Sequence, residues 1–387
     1  MRLPSHNPFV WYLALFGVLY AGFGVQSPFL PSLLQEHGLA AEAIGMMLAA
    51  GTAIRLLSGP IAGRLADYFD APRLVFAICA AAAALAAIGY LPAWGIWPLL
   101  AVTLAQAAAL APLAPLCDSL VLGSAGTNEA GFSYGWVRGI GSGAFIVGVL
   151  GSGQAVGQYG PGAVIWLNVM LLGLAACYAP AVPRLTSPSM TSSAVSEHAG
   201  ISELLRLPSF QRVIVVGALI LGSHALHDSF AVIRWNAAGI DPGIKGLLWA
   251  EAVAAEVVVF LLVGPVLIDR LGPARTAMLA ASIGALRWIV SAQTAWLPAV
   301  ATIQPMHGIT FALLHLALMR RLAETVPPHL SATALSLYGT VAIGAVTALM
   351  TLDSGWLYGA IGPQGFWVMA ALCGAALPFA RRLCFGP

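Results

Sequence analysis

The side chains of this sequence able to carry charge or protons inside its apolar runs are few. Arg55 stands in one such run, and the second half of the chain places His224, His227, Asp228, Glu251, Glu256, Arg287, His307 and His315 in four more. An ionisable group at the centre of a membrane-spanning helix costs about 2.5–3.5 kcal/mol or more, so each needs a partner, a water-filled cavity or a function. Arg287 carries a permanent charge on a planar fork suited to a carboxylate, either of a solute or of Glu251 or Glu256. Glu256 can load and release a proton, and His224 and His307 can relay one or bond a solute. His224 and Asp228 are spaced i,i+4 and Gln304 and His307 i,i+3, so each pair lines one side of its helix. Glu251 and Glu256 are separated by about 140° around a helix, so only one faces a given partner. The competing roles are structural, a buried ion pair for Arg287 and Glu256 and interhelical hydrogen bonding for Gln304 and the histidines.

The elements that position these groups follow from composition. Of 387 residues, 59% are hydrophobic and 8% charged, with mean hydropathy +0.88, whereas soluble domains are about 25% charged. Runs of roughly 20 apolar residues, the length that crosses a hydrocarbon core of about 30 Å, occur near 9–31, 43–66, 73–91, 96–122, 134–155, 162–180, 210–233, 244–268, 274–293, 298–320, 331–353 and 363–383. The expected fold is all-α and membrane-embedded, twelve spans in two six-helix bundles, 1–181 and 209–387, joined by a cytoplasmic linker over 182–208. The first run is too long for a signal-peptide core and lacks a cleavage site, so it stays as a span. A net charge of +2 with scattered arginines argues against nucleic acid. The five cysteines lie singly, with no metal or disulfide spacing.

Lys and Arg set the orientation. With the N-terminus inside, thirteen of them fall at cytoplasmic ends, Arg2, Arg184 and Arg382 among them, against Arg234 and Lys245 outside. Both termini are therefore expected in the cytoplasm. Counted from the outer ends at about 1.5 Å per residue, Asp228, Glu251, Arg287 and Gln304 lie roughly 7–11 Å deep, His224 and His307 roughly 13 Å, and Glu256 roughly 18 Å, near the midplane.

The two halves echo each other. Gly63-Arg-Leu-Ala-Asp67 and Arg73 close the second run, and Gly264, Asp269-Arg270-Leu-Gly272 and Arg275 close the eighth, an internal duplication of the kind transporters show. These residues resemble the loop signature of the major facilitator superfamily. Gly63 and Asp67 match in the first copy, where Tyr68, Asp70 and Ala71 replace later signature positions; Asp269, Arg270 and Gly272 match in the second. Longer stretches resemble the phenylpropionate permease family, related to nucleoside and lactose proton symporters: Asp118-Ser119, Tyr134 to Ser142 with Arg138, Ser223-His224, Leu248-Trp249 with Glu256, Leu286-Arg287-Trp288, and Gln304 to Phe311 with His315. Asp228 and Glu251 depart from that pattern.

The resemblance implies an alternating-access carrier that imports a small organic solute, an aromatic acid being one candidate, together with a proton. It needs no cofactor or metal and works as a monomer in the inner membrane. Glu256 and His307 are the expected proton-coupling residues. Arg287, Gln304, His307, His224, Asp228 and Arg55 are expected to bind solute, although Arg55 could equally brace the loop at Asp67. Asp67, Asp269, Arg270 and the Asp118 and Arg138 pair are expected to gate. The Gly-rich run Gly139 to Gly153 follows no strand, so it is not a nucleotide loop; its small residues let helices approach closely. The rival readings are a proton antiporter that exports, and more remotely a receptor or an intramembrane enzyme, for which no metal-ligand pair, nucleophile motif or phosphate loop is visible. Reporter fusions at Arg184 and Pro387 should read as cytoplasmic; periplasmic activity at either would overturn the topology.

Overall fold

In the computed structural model the described residues are 8–125, 134–182 and 197–384; Arg2, Arg184 and most of the expected linker lie outside them. The regular elements described are all helical. The chain runs through α1 (Pro8–Gln26), α2 (Leu30–Glu36), α3 (Ala41–Tyr68), α4 (Pro72–Ile88), α5 (Ile96–Leu110), α6 (Leu113–Ala125), α7 (Tyr134–Tyr159) and α8 (Gly162–Tyr178). It continues through α9 (Glu197–Arg206), α10 (Pro208–Gly222), α11 (Ala225–Ala237), α12 (Pro242–Val258), α13 (Gly264–Gln293), α14 (Leu297–Ile303), α15 (Leu314–Thr325), α16 (Ser331–Leu337), α17 (Val346–Ile361) and α18 (Phe366–Arg381).

Several apolar runs are thus one span made of two helices. Ala111-Pro112 separates α5 from α6, and Ser223-His224 separates α10 from α11. Two helical stretches, Pro242–Gln293 and Thr333–Arg381, have 52 and 49 residues, far more than the roughly 20 that cross a bilayer. Each is divided by a glycine with positive φ, Gly272 at 75° and Gly362 at 57°, a backbone conformation that favours glycine. Among the described residues, nine stretches are long and apolar enough to span. Dividing those two, and adding the shorter Pro72–Ile88, yields the twelve spans expected from the sequence.

Contacts group the chain into two units. The first is Met1–Leu39, Ala50–Thr191 and Asp241–Ala250; the second is Ala40–Ala49, Ser192–Ile240 and Glu251–Pro387. Two end segments therefore group away from their own halves. The physical reason is backbone packing at glycine: a Cβ on Gly45 would come within 2.6 Å of the Gly355 Cα in the second unit, and one on Gly153 within 2.8 Å of the Pro242 carbonyl oxygen in the first.

The first unit is built on α1, whose Tyr12, Leu15, Phe16 and Leu19 are buried in its core. A Cβ on Gly24 would run into the Phe145 carbonyl, and one on Gly148 into the Ala21 carbonyl, so α1 and α7 meet backbone to backbone across the Gly-rich run. Buried amides tie α1, α5 and α8 together. Gln26 Nε2 donates to Gln106 Oε1 (2.6 Å), Gln106 Nε2 to Asn168 Oδ1 (3.2 Å), and Asn168 Nδ2 to the Gly22 carbonyl (2.9 Å). Such interhelical bonds are glue where no water competes.

Overpacking a close contact of this kind costs about 1–3 kcal/mol. Gly148→Leu should therefore lower the melting temperature of the purified protein, whereas an unchanged melting curve would contradict the α1–α7 contact.

Candidate functional site

The charged interior of the second unit begins at the break between α10 and α11. The chain stays helical there, and the Asp228 amide bonds the His224 carbonyl (2.9 Å). His224 is buried, with Nδ1 donating to the Ile220 carbonyl (3.0 Å) and Nε2 2.9 Å from Thr310 Oγ1. Its ring meets the edges of Trp288 and His307, each with centroids 5.2 Å away. His227 Nε2 donates to Gln304 Oε1 (3.1 Å), while Nδ1 lies 3.3 Å from Asp228 Oδ1. Asp228 thus contacts its neighbour His227 and also acts electrostatically on His224 one turn away.

Arg287 of α13 is the centre of this cluster and is fully buried, at 0% exposure. Its Nη1 donates to His307 Nδ1 (3.2 Å) and Thr310 Oγ1 (3.5 Å), and its Nη2 to Gln304 Oε1 (3.3 Å). The guanidinium carbon lies 4.5 Å over the Trp288 ring, a contact worth about 2 kcal/mol when desolvated. The Trp288 indole is held in turn by donating to Ser223 Oγ (2.8 Å). None of these Arg287 partners is a carboxylate, and among the described residues its buried Nε has no hydrogen-bond partner.

Two carboxylates approach from the edges. Asp228 has a half-exposed side chain (52%), and Glu256 lies with Oε2 4.0 Å from His307 Nε2, their side chains 20% and 16% exposed. That places Glu256, rather than Glu251, beside the histidine. Local backbone sets this spacing. α12 passes into a π-helical turn over Val259–Val263, and His307 caps another over Gly308–Leu313. A Cβ on Gly308 would fall 2.6 Å from the Ala255 carbonyl oxygen, so the two spans approach backbone to backbone one residue from both Glu256 and His307. π turns are rare and concentrate at functional sites. Phe311 stacks on His307 at 5.4 Å and keeps part of its ring accessible.

The other expected residues lie apart from this cluster. Arg55 is an exposed residue of α3 in the first unit, within electrostatic reach of Tyr90, whose hydroxyl donates to Thr103 (3.1 Å). Asp67 is exposed at the end of α3. Asp269 receives a hydrogen bond from Arg320 Nη1 (2.9 Å) and Arg270 is exposed beside it. Arg138 lies 4.8 Å over the Tyr20 ring, and it and Asp118 both act electrostatically on Cys117. His315 sits near Tyr338, its Nδ1 3.3 Å from the hydroxyl. Sequence reasoning missed Thr310 and His227 as members of the cluster. His227 was visible as an ionisable group inside an apolar run, but nothing in its spacing assigned it to Gln304.

Comparison with known proteins agrees with this fold. The chain matches the MFS_1 like family model over residues 9–369. It is 31% identical over 372 residues to the "Probable 3-phenylpropionic acid transporter" of Escherichia coli (strain K12), covering 95% of each chain. It is 28% identical over 342 residues to the maltose permease of Geobacillus stearothermophilus, covering 88% of this chain and 85% of that one. Among solved structures, the nucleoside transporter NupG superposes with a TM-score of 0.81 at 16% identity, covering 98% of both chains. The chain belongs to the MFS_1 like family: it is a multi-pass membrane transporter of the major facilitator superfamily, of the phenylpropionate permease type, and not an enzyme.

Proposed function

We propose that this secondary transporter moves a small carboxylate-bearing solute together with a proton by alternating access, as a monomer in the inner membrane with both termini in the cytoplasm. The observation that carries the reading is Arg287, a buried cation whose hydrogen bonds go to Gln304, Thr310 and His307 and whose Nε has no acceptor among the described residues. Burying an ion costs several kcal/mol unless an opposite charge and full hydrogen bonding offset it, and neutral acceptors supply only part of that. A solute carboxylate that displaced Gln304 or His307 would match the fork in bidentate fashion.

Phe311 and His307, stacked and partly accessible, offer a flat wall for an aromatic ring. That favours an aromatic acid, as does the similarity to the Escherichia coli relative named a probable 3-phenylpropionic acid transporter. Glu256 is the candidate proton carrier, being the carboxylate next to His307. Arg55 is a further candidate contact for an anionic solute. The Asp269–Arg320 bond is a candidate latch at the end of α15, with Asp67, Arg270, Asp118 and Arg138 as gating candidates.

The test is transport of radiolabelled 3-phenylpropionate by protein in proteoliposomes. Arg287→Ala should weaken binding at least tenfold, about 1.4 kcal/mol. Glu256→Gln should instead keep solute exchange and lose accumulation driven by a proton gradient. Melting temperatures must be measured alongside, because stranding a buried charge also unfolds proteins. A stable Arg287→Ala protein with unchanged affinity would overturn the solute assignment. A stable Glu256→Gln protein that still accumulates solute would remove Glu256 as the carrier.

A further inference from the structure

Counting donors and acceptors along the bonds of the Arg287 cluster constrains where its protons sit. Arginine donates only, so the Gln304 atom that receives Arg287 Nη2 at 3.3 Å must be the amide oxygen. The same oxygen lies 3.1 Å from His227 Nε2. Two acceptors do not attract each other, so His227 Nε2 must carry a hydrogen. The other ring nitrogen, Nδ1, faces Asp228 Oδ1 at 3.3 Å. With Nε2 already protonated, a proton-free contact there would set an imidazole lone pair against a carboxylate oxygen. One proton must therefore lie between them, on Nδ1 as an imidazolium–carboxylate pair or on Oδ1 as an imidazole–carboxylic acid pair.

The same count treats His307 differently. Its Nδ1 accepts from Arg287 Nη1 at 3.2 Å, so its ring is neutral and its one hydrogen is on Nε2, towards Glu256. His307 takes a second proton only by giving up Arg287.

We propose that His227 and Asp228 form a proton-storing site, holding one proton between them, distinct from Glu256 and joined to Arg287 through Gln304. The pair sits among charged and titratable groups from several elements: Arg287 on α13, His307 before its π turn, His224 and Arg234 on its own segment, and Tyr358 of α17, which acts electrostatically on Arg234. Its inner edge is buried, with His227 8% exposed, and its outer edge is open, with Asp228 52% exposed. A small cavity beside the ring is lined by His227, Arg234, Ser291, Thr294 and Gln304 together with apolar side chains.

The pair gives symport a coupling rule, and this part rests on the proton-coupled reading above. While the proton is held, the pair is neutral overall and Arg287 awaits a carboxylate from the solute. When the proton leaves at higher pH, Asp228 is left as an uncompensated anion near Arg287 and competes with the solute. Protonation of the pair therefore favours binding of an anion, the sign symport requires.

The test needs no solute, so its outcome is separate from whether proton-driven uptake occurs. Full-length protein labelled with 15N-histidine is studied at neutral pH by magnetic resonance and by infrared spectroscopy, next to Asp228→Asn and His227→Gln. The expected result is the loss, in either variant that folds, of one signal present in the parent: a protonated Nδ1 of a doubly protonated ring, or a protonated carboxyl band. A parent in which His227 Nδ1 is bare and Asp228 shows only ionised carboxylate bands overturns the proposal, as does the absence of any such difference in both variants.

Discussion

A guanidinium kept out of water with no carboxylate bonded to it among the described residues is the constraint around which the second unit is organised. Arg287 is held at 0% exposure by four kinds of neutral contact: an amide oxygen, a hydroxyl, an imidazole nitrogen and the face of an indole. Three of these are themselves fixed by something else. Gln304 is shared with His227, Thr310 with His224, and Trp288 with Ser223. The result is a preorganised positive charge within electrostatic reach of Asp228, with Glu256 beside its partner His307.

The first unit shows what a polar group looks like when structure alone uses it. Gln26, Gln106 and Asn168 bond one another and a backbone carbonyl, all buried, with no formal charge among them. Such a knot satisfies itself and pins three helices. The Arg287 cluster does not close in the same way, because its Nε is unsatisfied and its net charge is not neutralised by its own bonds. A membrane protein that keeps such a group keeps the means to bind an anion, since the low dielectric that makes the bare charge costly also strengthens the pair it can form.

Much of this was legible in the sequence. The spans were readable because a bilayer demands about 20 apolar residues at a time, and the Gly-rich run near Gly148 correctly signalled close helix approach. The cluster members Arg287, Gln304, His307 and His224 stood out because charge and polarity at such depth need a reason. What could not be read is what depends on packing. The π turns at Val259–Val263 and Gly308–Leu313 have no sequence period of their own. That His227 meets both Gln304 and Asp228 depends on how α11 packs against its neighbours, which helical spacing alone does not give. The grouping of Ala40–Ala49 and Asp241–Ala250 with the opposite units follows from glycines whose partners lie some 300 or 90 residues away, a distance over which local pattern says nothing.

The central claim is that the cluster recognises a negative charge. It is tested most directly by comparing dissociation constants of 3-phenylpropionate and its uncharged isostere, 3-phenylpropanamide, for the purified protein at one pH. The two ligands share the ring and chain and differ in the group that would meet Arg287. A buried charge pair of this kind contributes about 2–5 kcal/mol when one partner is removed, so the acid should bind at least tenfold more tightly. Equal affinities would contradict the account.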